Sequence, residues 1–165
     1  MSPDGTDPYV HRGTRAIQRM VEYAPSTGSL ALWIRHRNSA AGDQDMAACN
    51  DGLTISYAPS FERLSLPRQT GLVAHQVLHV ALRHAPRYLE LRRQIGDVDL
   101  ELYTVCADAI VNSALAHLSW LELAPETVLL EDLLFCMFNI KFGSPVFRIS
   151  AALCHGGGCT LRVAL

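Results

Sequence analysis

Hydrophobic and polar positions alternate most regularly along residues 71–87, GLVAHQVLHVALRHAPR, where two histidines interrupt a long apolar run. At about 100° per residue, His75 and His79 fall on one side of a helix, four residues apart. Leu78 and Leu82 flank that stripe, while Leu72, Val73, Val77, Val80 and Ala81 cover the other faces. The pattern predicts a helix buried nearly all round. Ser65 and Pro67 are its start signals, and it should end near His84, because Ala85 precedes a proline and is biased away from α.

The remaining pattern predicts lesser elements around this helix. Residues 9–24 carry Ala16, Ile17, Met20, Val21 and Ala24 at helical spacing, with Pro25 closing the segment. Residues 26–29 read as a turn and residues 30–34, LALWI, as a short buried strand. Residues 38–52 are small, polar and acidic, a loop that ends in the turn sequence Asn50-Asp51-Gly52. Residues 53–57 alternate as a half-exposed strand does. The two strands suggest a small antiparallel sheet. Residues 59–64 fit one helical turn, and residues 87–96 are charged and read as solvated. A second long helix runs from an N-cap at Asp97 or Asp99 to Leu118 and carries Cys106, Asp108 and Asn112. A third runs from Pro125 through Leu134. The expected class is α+β, mainly helical.

Composition narrows the function classes. A chain of 165 residues, 49% apolar, is one domain by prior and can bury a core without disulfides. Its formal charge is −2 and its arginines are scattered among acids, unlike the single-signed footprint of a nucleic-acid binder. The first residues, MSPDGTDPY, lack the basic and apolar regions of a signal peptide, and no apolar run is long enough to span a bilayer. Five cysteines without C-x-x-C spacing suit a reducing cytoplasm. The expectation is a soluble cytoplasmic protein that binds neither nucleic acid nor membrane.

The candidate chemistry lies in the histidine pair. Converging neutral imidazoles suit a borderline metal such as Zn²⁺, and H-x-x-x-H is the spacing of the zincin helix H-E-x-x-H. Position 76 is Gln rather than Glu. In a zinc hydrolase that Glu takes a proton from the attacking water and later passes it to the leaving group; an amide has no useful basicity. Gln76 thus stands at the general-base position as a group unfit for the task.

Zinc needs a third protein ligand. Asp108, an acid within an apolar helix, is the first choice, since such an acid is costly unless paired or metal-bound. Its competing role is a buried salt bridge with Arg15 or Arg92. Asn112, one turn later, suits the support of a ligand imidazole. His84 is the alternative third ligand. A regular helix points it away from the pair by roughly half a turn, so it reaches the metal only where the helix breaks before it. Cys154-His155-Gly-Gly-Gly-Cys159 fits no standard zinc knuckle.

Three segments together resemble a known family. They are Asn50-Asp51-Gly52 followed by Ile55-Ser56-Tyr57-Ala58-Pro59-Ser60-Phe61, the helix GLVAHQVLHVALRHAPR, and the block CADAIVNSAL at residues 106–115. They resemble the bacterial family described as "putative metallopeptidase domain", usually found N-terminal to a von Willebrand A-like domain. The resemblance implies a zincin-like α+β domain with His75 and His79 as zinc ligands and Asp108 as the third; the family also usually carries His84. It implies a polypeptide substrate, or work with a MoxR-type ATPase or a von Willebrand A-like protein as a non-catalytic interaction module. Where the family has its catalytic Glu, this chain has Gln76, which implies that peptidase activity is impaired or lost. The domain is expected over residues 1–134. Residues 135–165, poor in acids and without sustained period, are expected to be a tail, truncated or out of family.

Overall fold

A computed structural model describes residues 10–40 and 46–141 of the chain. The His-bearing helix α3 (Leu66–Ala81) occupies the middle of the molecule, and the other elements are placed against its faces. Ser65 caps it by accepting a hydrogen bond from the Arg68 N–H, and Pro67 sits in its first turn, where a missing N–H costs nothing. No residue between Gly71 and Val80 is exposed, as the apolar pattern requires. Its partners are α1 (Thr14–Tyr23), α2 (Pro25–Trp33), α5 (Leu100–Leu115) and the strand β2 (Ala48–Asn50). Ala16, Met20, Ile55, Tyr57, Phe61, Val73, Val77 and Val111 form the centre of the core.

The segment read as turn plus buried strand is helix α2. Pro25 ends α1 but also opens α2, because its fixed φ suits a first helical position. Gly28 looks like a turn signal and is a contact glycine. A Cβ there would come within 2.5 Å of the Val21 backbone, so its absence lets α1 and α2 lie against each other. LALWI is apolar without being buried: Ala31 is inside, while Leu32 and Trp33 are 66% and 88% exposed. A short apolar run cannot by itself distinguish helix from strand.

The sheet is mixed rather than antiparallel. Its order is β1 (Arg35–Asn38), β3 (Thr54–Tyr57), β2, with β1 parallel and β2 antiparallel to β3. β2 lies inside the stretch expected to be loop; its small residues, Ala48, Cys49 and Asn50, are all buried. Because β3 is the central strand, Ile55, Ser56 and Tyr57 are buried on both faces, and the alternation seen in sequence does not translate into half exposure. A 3₁₀ turn, Pro59–Arg63, then leads into α3.

Past Ala81 the chain breaks at Arg83, whose φ of 57° is left-handed, and restarts as α4 (His84–Ile95). The charged segment is solvated as expected, with Tyr88 its one buried residue, and it forms a helix in which the Tyr88 hydroxyl donates to the Val98 carbonyl. Pro86 is tolerated because the first four N–H groups of a helix have no intrahelical acceptor. Asp99 caps α5 by accepting from the Leu102 N–H. The last helix, α6 (Leu130–Lys141), starts later than expected: Pro125 sits in a turn closed by the Thr127 N–H on the Ala124 carbonyl, and Asp132 accepts from the Leu129 N–H. The helix continues past residue 134 into the segment expected to be a tail, truncated or out of family; Cys154, His155 and Cys159 lie outside the described residues. Among the described residues no helix is long and apolar enough to cross a membrane.

Candidate metal centre

Two antiparallel helices meet at three side chains. His75 and His79 project from α3 toward α5, which answers with Asp108. His79 Nε2 lies 3.0 Å from Asp108 Oδ1 and 2.9 Å from His75 Nε2, and His75 Nε2 lies 3.5 Å from the same oxygen. One potential ligand atom from each residue falls within 4.8 Å of the others. Both histidines are buried, and Asp108 keeps 21% of its side chain exposed, so approach is from the carboxylate side.

The surrounding bonds decide what these atoms present. Asn112 Nδ2 donates to the Val128 carbonyl at 3.1 Å, which leaves Asn112 Oδ1 facing His75 Nδ1 at 2.9 Å. An amide oxygen can only accept, so His75 carries its proton on Nδ1 and turns a lone pair on Nε2 into the cluster. Asp108 Oδ1, buried and without a hydrogen-bond partner, adds a second acceptor. His79 Nδ1 faces His84 Nδ1 at 2.9 Å; when His79 donates there, its Nε2 is a third. Three acceptors packed this closely repel unless a cation or proton lies between them. The donor set of two imidazoles and one carboxylate fits a metal ion.

Electrostatics point the same way. Burial pushes the Asp108 carboxyl up, but the adjoining imidazoles of His75 and His79 outweigh it and hold Asp108 below the usual carboxylate value. Burial lowers His79, with the Asp108 carboxylate opposing, so the imidazole favours the neutral form a metal requires. His84 is lowered to about 4 by burial first and then by His79.

The structure brings His75, His79, Asp108 and Asn112 together. Asp108 meets imidazoles rather than Arg15 or Arg92. The helix does break before His84, yet His84 stands behind His79, on its outer nitrogen, with its carbonyl held by the Tyr103 hydroxyl at 2.9 Å. Gln76 points to the sheet side of α3, where its buried Oε1 accepts from Asn50 Nδ2. Sequence reasoning saw Asn50 only as turn chemistry and had no signal for the Val128 carbonyl, since a backbone group carries no residue code.

A family model described as "putative metallopeptidase domain" matches residues 8–138. The chain belongs to that family. No curated protein and no solved structure matches it. With the family and the three-residue cluster both in view, this is a metallopeptidase-like domain whose His75, His79 and Asp108 could hold a metal ion.

Proposed function

We propose that this domain binds zinc through His75, His79 and Asp108, and that Gln76 leaves it with little or no peptidase activity. The observation that carries the reading is the convergence of three acceptors, one of which, His75 Nε2, has its tautomer fixed by a partner outside the cluster. Zinc suits the donor set because it takes nitrogen and oxygen ligands tetrahedrally and leaves a fourth position open. Bound there, it supplies Lewis acidity and lowers the pKa of a coordinated water. The chain's own residues supply orientation: Asn112 fixes the ring of His75, and His84 backs that of His79. What the chain lacks is a proton acceptor beside the first histidine, because the Gln76 amide is not basic. The substrate class this implies is polypeptide.

The test is a comparison of zinc-loaded wild type and Gln76→Glu on unstructured protein substrates, with His79→Ala in the Glu background as control. Restoring a general base should raise cleavage by on the order of 10²–10⁴-fold. Equal activity of wild type and Gln76→Glu, abolished by His79→Ala, would show that another residue is the base. Zinc binding with no cleavage by any variant favours a non-catalytic interaction module, of the kind that works with a MoxR-type ATPase.

A further inference from the structure

The imidazole behind His79 is itself held from a distance, and the group that holds it stands on the helix that supplies Asp108. His84 opens α4, which buries His84, Ala85 and Tyr88 and leaves its other residues half-buried or exposed. So little buried apolar surface gives the helix a weak seat. Specific contacts at its start supply the rest. The Tyr103 hydroxyl of α5 donates to the His84 carbonyl at 2.9 Å, and the Tyr103 ring lies 5.3 Å from that of Tyr88, tilted by 55°. Tyr88 in turn donates to the Val98 carbonyl, just ahead of α5. On the sheet side, Gly52 has a φ of 90°, and a Cβ on it would stand 3.1 Å from the Ala85 Cβ. The first turn of α4 is thus seated between α5 and the turn that precedes β3.

We infer that Tyr103 is a positioning residue for His79, acting through His84: its hydroxyl fixes the backbone of the first residue of α4, and so the place from which His84 Nδ1 meets His79 Nδ1 at 2.9 Å. The hydroxyl is the donor, because a carbonyl only accepts, and that carbonyl keeps a second lone pair for the helix. The fixing matters because His84 follows the left-handed Arg83, so the regular course of α3 does not place it. A bond between ring nitrogens is sensitive to distance and direction, and these two rings stand close to perpendicular. The consequence for the metal site rests on the proposed function. His79 presents Nε2 to a metal only when its proton sits on Nδ1, and His84 is the acceptor for that proton. With His84 displaced, the competing tautomer puts the proton on Nε2, 3.0 Å from Asp108 Oδ1 and inside the cluster. The helix α5 therefore serves the site twice, with Asp108 in the cluster and with Tyr103, roughly 7.5 Å back along the axis, behind it.

The bond between His84 and His79 can be read without metal, so the first measurement uses the metal-free, full-length chain with isotope-labelled histidine nitrogens. Scalar coupling across an N–H···N bond reports that bond directly, whichever ring carries the proton. It should be present in the wild type and weaken in Tyr103→Phe. That variant keeps its ring beside Tyr88 and loses one hydrogen bond, so it should stay folded and melt within about 8 °C of the wild type. The second measurement is zinc affinity by competition with a chelator. Tyr103→Phe should bind about tenfold more weakly, the low end for a partner outside the ligands. His84→Phe keeps the carbonyl that Tyr103 holds but removes the imidazole that Tyr103 positions. Adding Tyr103→Phe to His84→Phe should therefore change the affinity by less than about twofold.

A coupling unchanged by Tyr103→Phe, or absent from the wild type, would overturn the assignment. So would an affinity loss that repeats in full in the His84→Phe background, since a residue that only braces α4 against α5 predicts additive losses. The two proposals fail separately. If the wild type binds no zinc, the metal reading falls and the coupling alone decides the role of Tyr103. Zinc binding with an unchanged coupling leaves the metal reading standing and removes Tyr103 from it.

Discussion

Among the described residues are two buried or half-buried groups of aromatic nitrogen donors, and one of them is arranged as a site. At the α3–α5 contact, the outer nitrogens of His75 and His79 face Asn112 and His84, so the inner ones converge with Asp108. At the sheet, His36 spends both nitrogens inside the fold: Nε2 on the Ala31 carbonyl at 2.7 Å, and Nδ1 on the Tyr57 hydroxyl at 2.8 Å. The carbonyl can only accept, so His36 donates from Nε2 and accepts at Nδ1 from Tyr57, whose phenol burial keeps protonated. The His36 and Tyr57 rings are nearly parallel, and His11 stacks on both, 4.6 Å from the His36 ring centre. Among the described residues, no carboxylate joins that stack to make a metal-ligand cluster. Metal competence thus follows from where the outer nitrogens find their partners, not from how many imidazoles are gathered.

The largest expected effect separates the two groups outright. Zinc carried by the purified protein should fall to background in His75→Ala/His79→Ala, and remain stoichiometric in His36→Ala, which should instead lose thermal stability because the Tyr57 hydroxyl and the Ala31 carbonyl lose their partner. Metal analysis and melting curves on the same samples check both halves. Zinc content unchanged by the His75/His79 double substitution would mean that the ligand set is misassigned.

A smaller effect is expected behind the ligands. Asn112→Leu frees the His75 tautomer and leaves the Val128 carbonyl unpaired, and His84→Phe removes the acceptor for His79 Nδ1. Loss of such outer partners typically weakens metal binding by about 10–100-fold. Asn112→Asp keeps an acceptor for His75 and should lose less than Asn112→Leu, an order that competition with a chromogenic chelator would reveal.

The unequal legibility of these regions has physical causes. The α3 helix, its cap at Ser65, a cap for α5 at either Asp97 or Asp99 and the facing of His75, His79, Asp108 and Asn112 were all readable, because helical periodicity and caps are local signals. The helix α2, the strand β2 and the mixed sheet were not. LALWI carries too few residues to fix a period, β2 is three small residues whose strand character comes only from pairing with β3, and strand direction is decided by distant chain. His11, His36 and Tyr57 left no trace in sequence because they lie on three separate segments. Asn50 was legible as a turn residue, and its second role appears only when β2 is laid against α3. Likewise the break at Arg83, which puts His84 behind His79, required a left-handed residue that no glycine announced.

The smallest effect concerns acid, and it again distinguishes the two groups. Burial, and then the neighbouring His36, lower His11 to about 4; burial also lowers His36, against the raising effect of the Ala31 carbonyl. In the unfolded chain these imidazoles titrate near their ordinary 6.5. Between those values the unfolded state binds more protons than the folded one, so stability is fully present above about pH 6.5 and is lost as pH falls toward 4. His84, lowered to about 4 by burial and His79, adds the same sign. Because His11 is only half-buried, solvent screening reduces its share to on the order of 1 kcal/mol. His11→Phe retains a ring to stack on the His36 and Tyr57 rings but has nothing to protonate. Urea unfolding of the metal-free protein at pH 7.5 and pH 5 should therefore show a smaller loss for His11→Phe than for wild type, with His84→Phe flattening the remainder. An equal loss in wild type and both variants would place the acid sensitivity outside both groups.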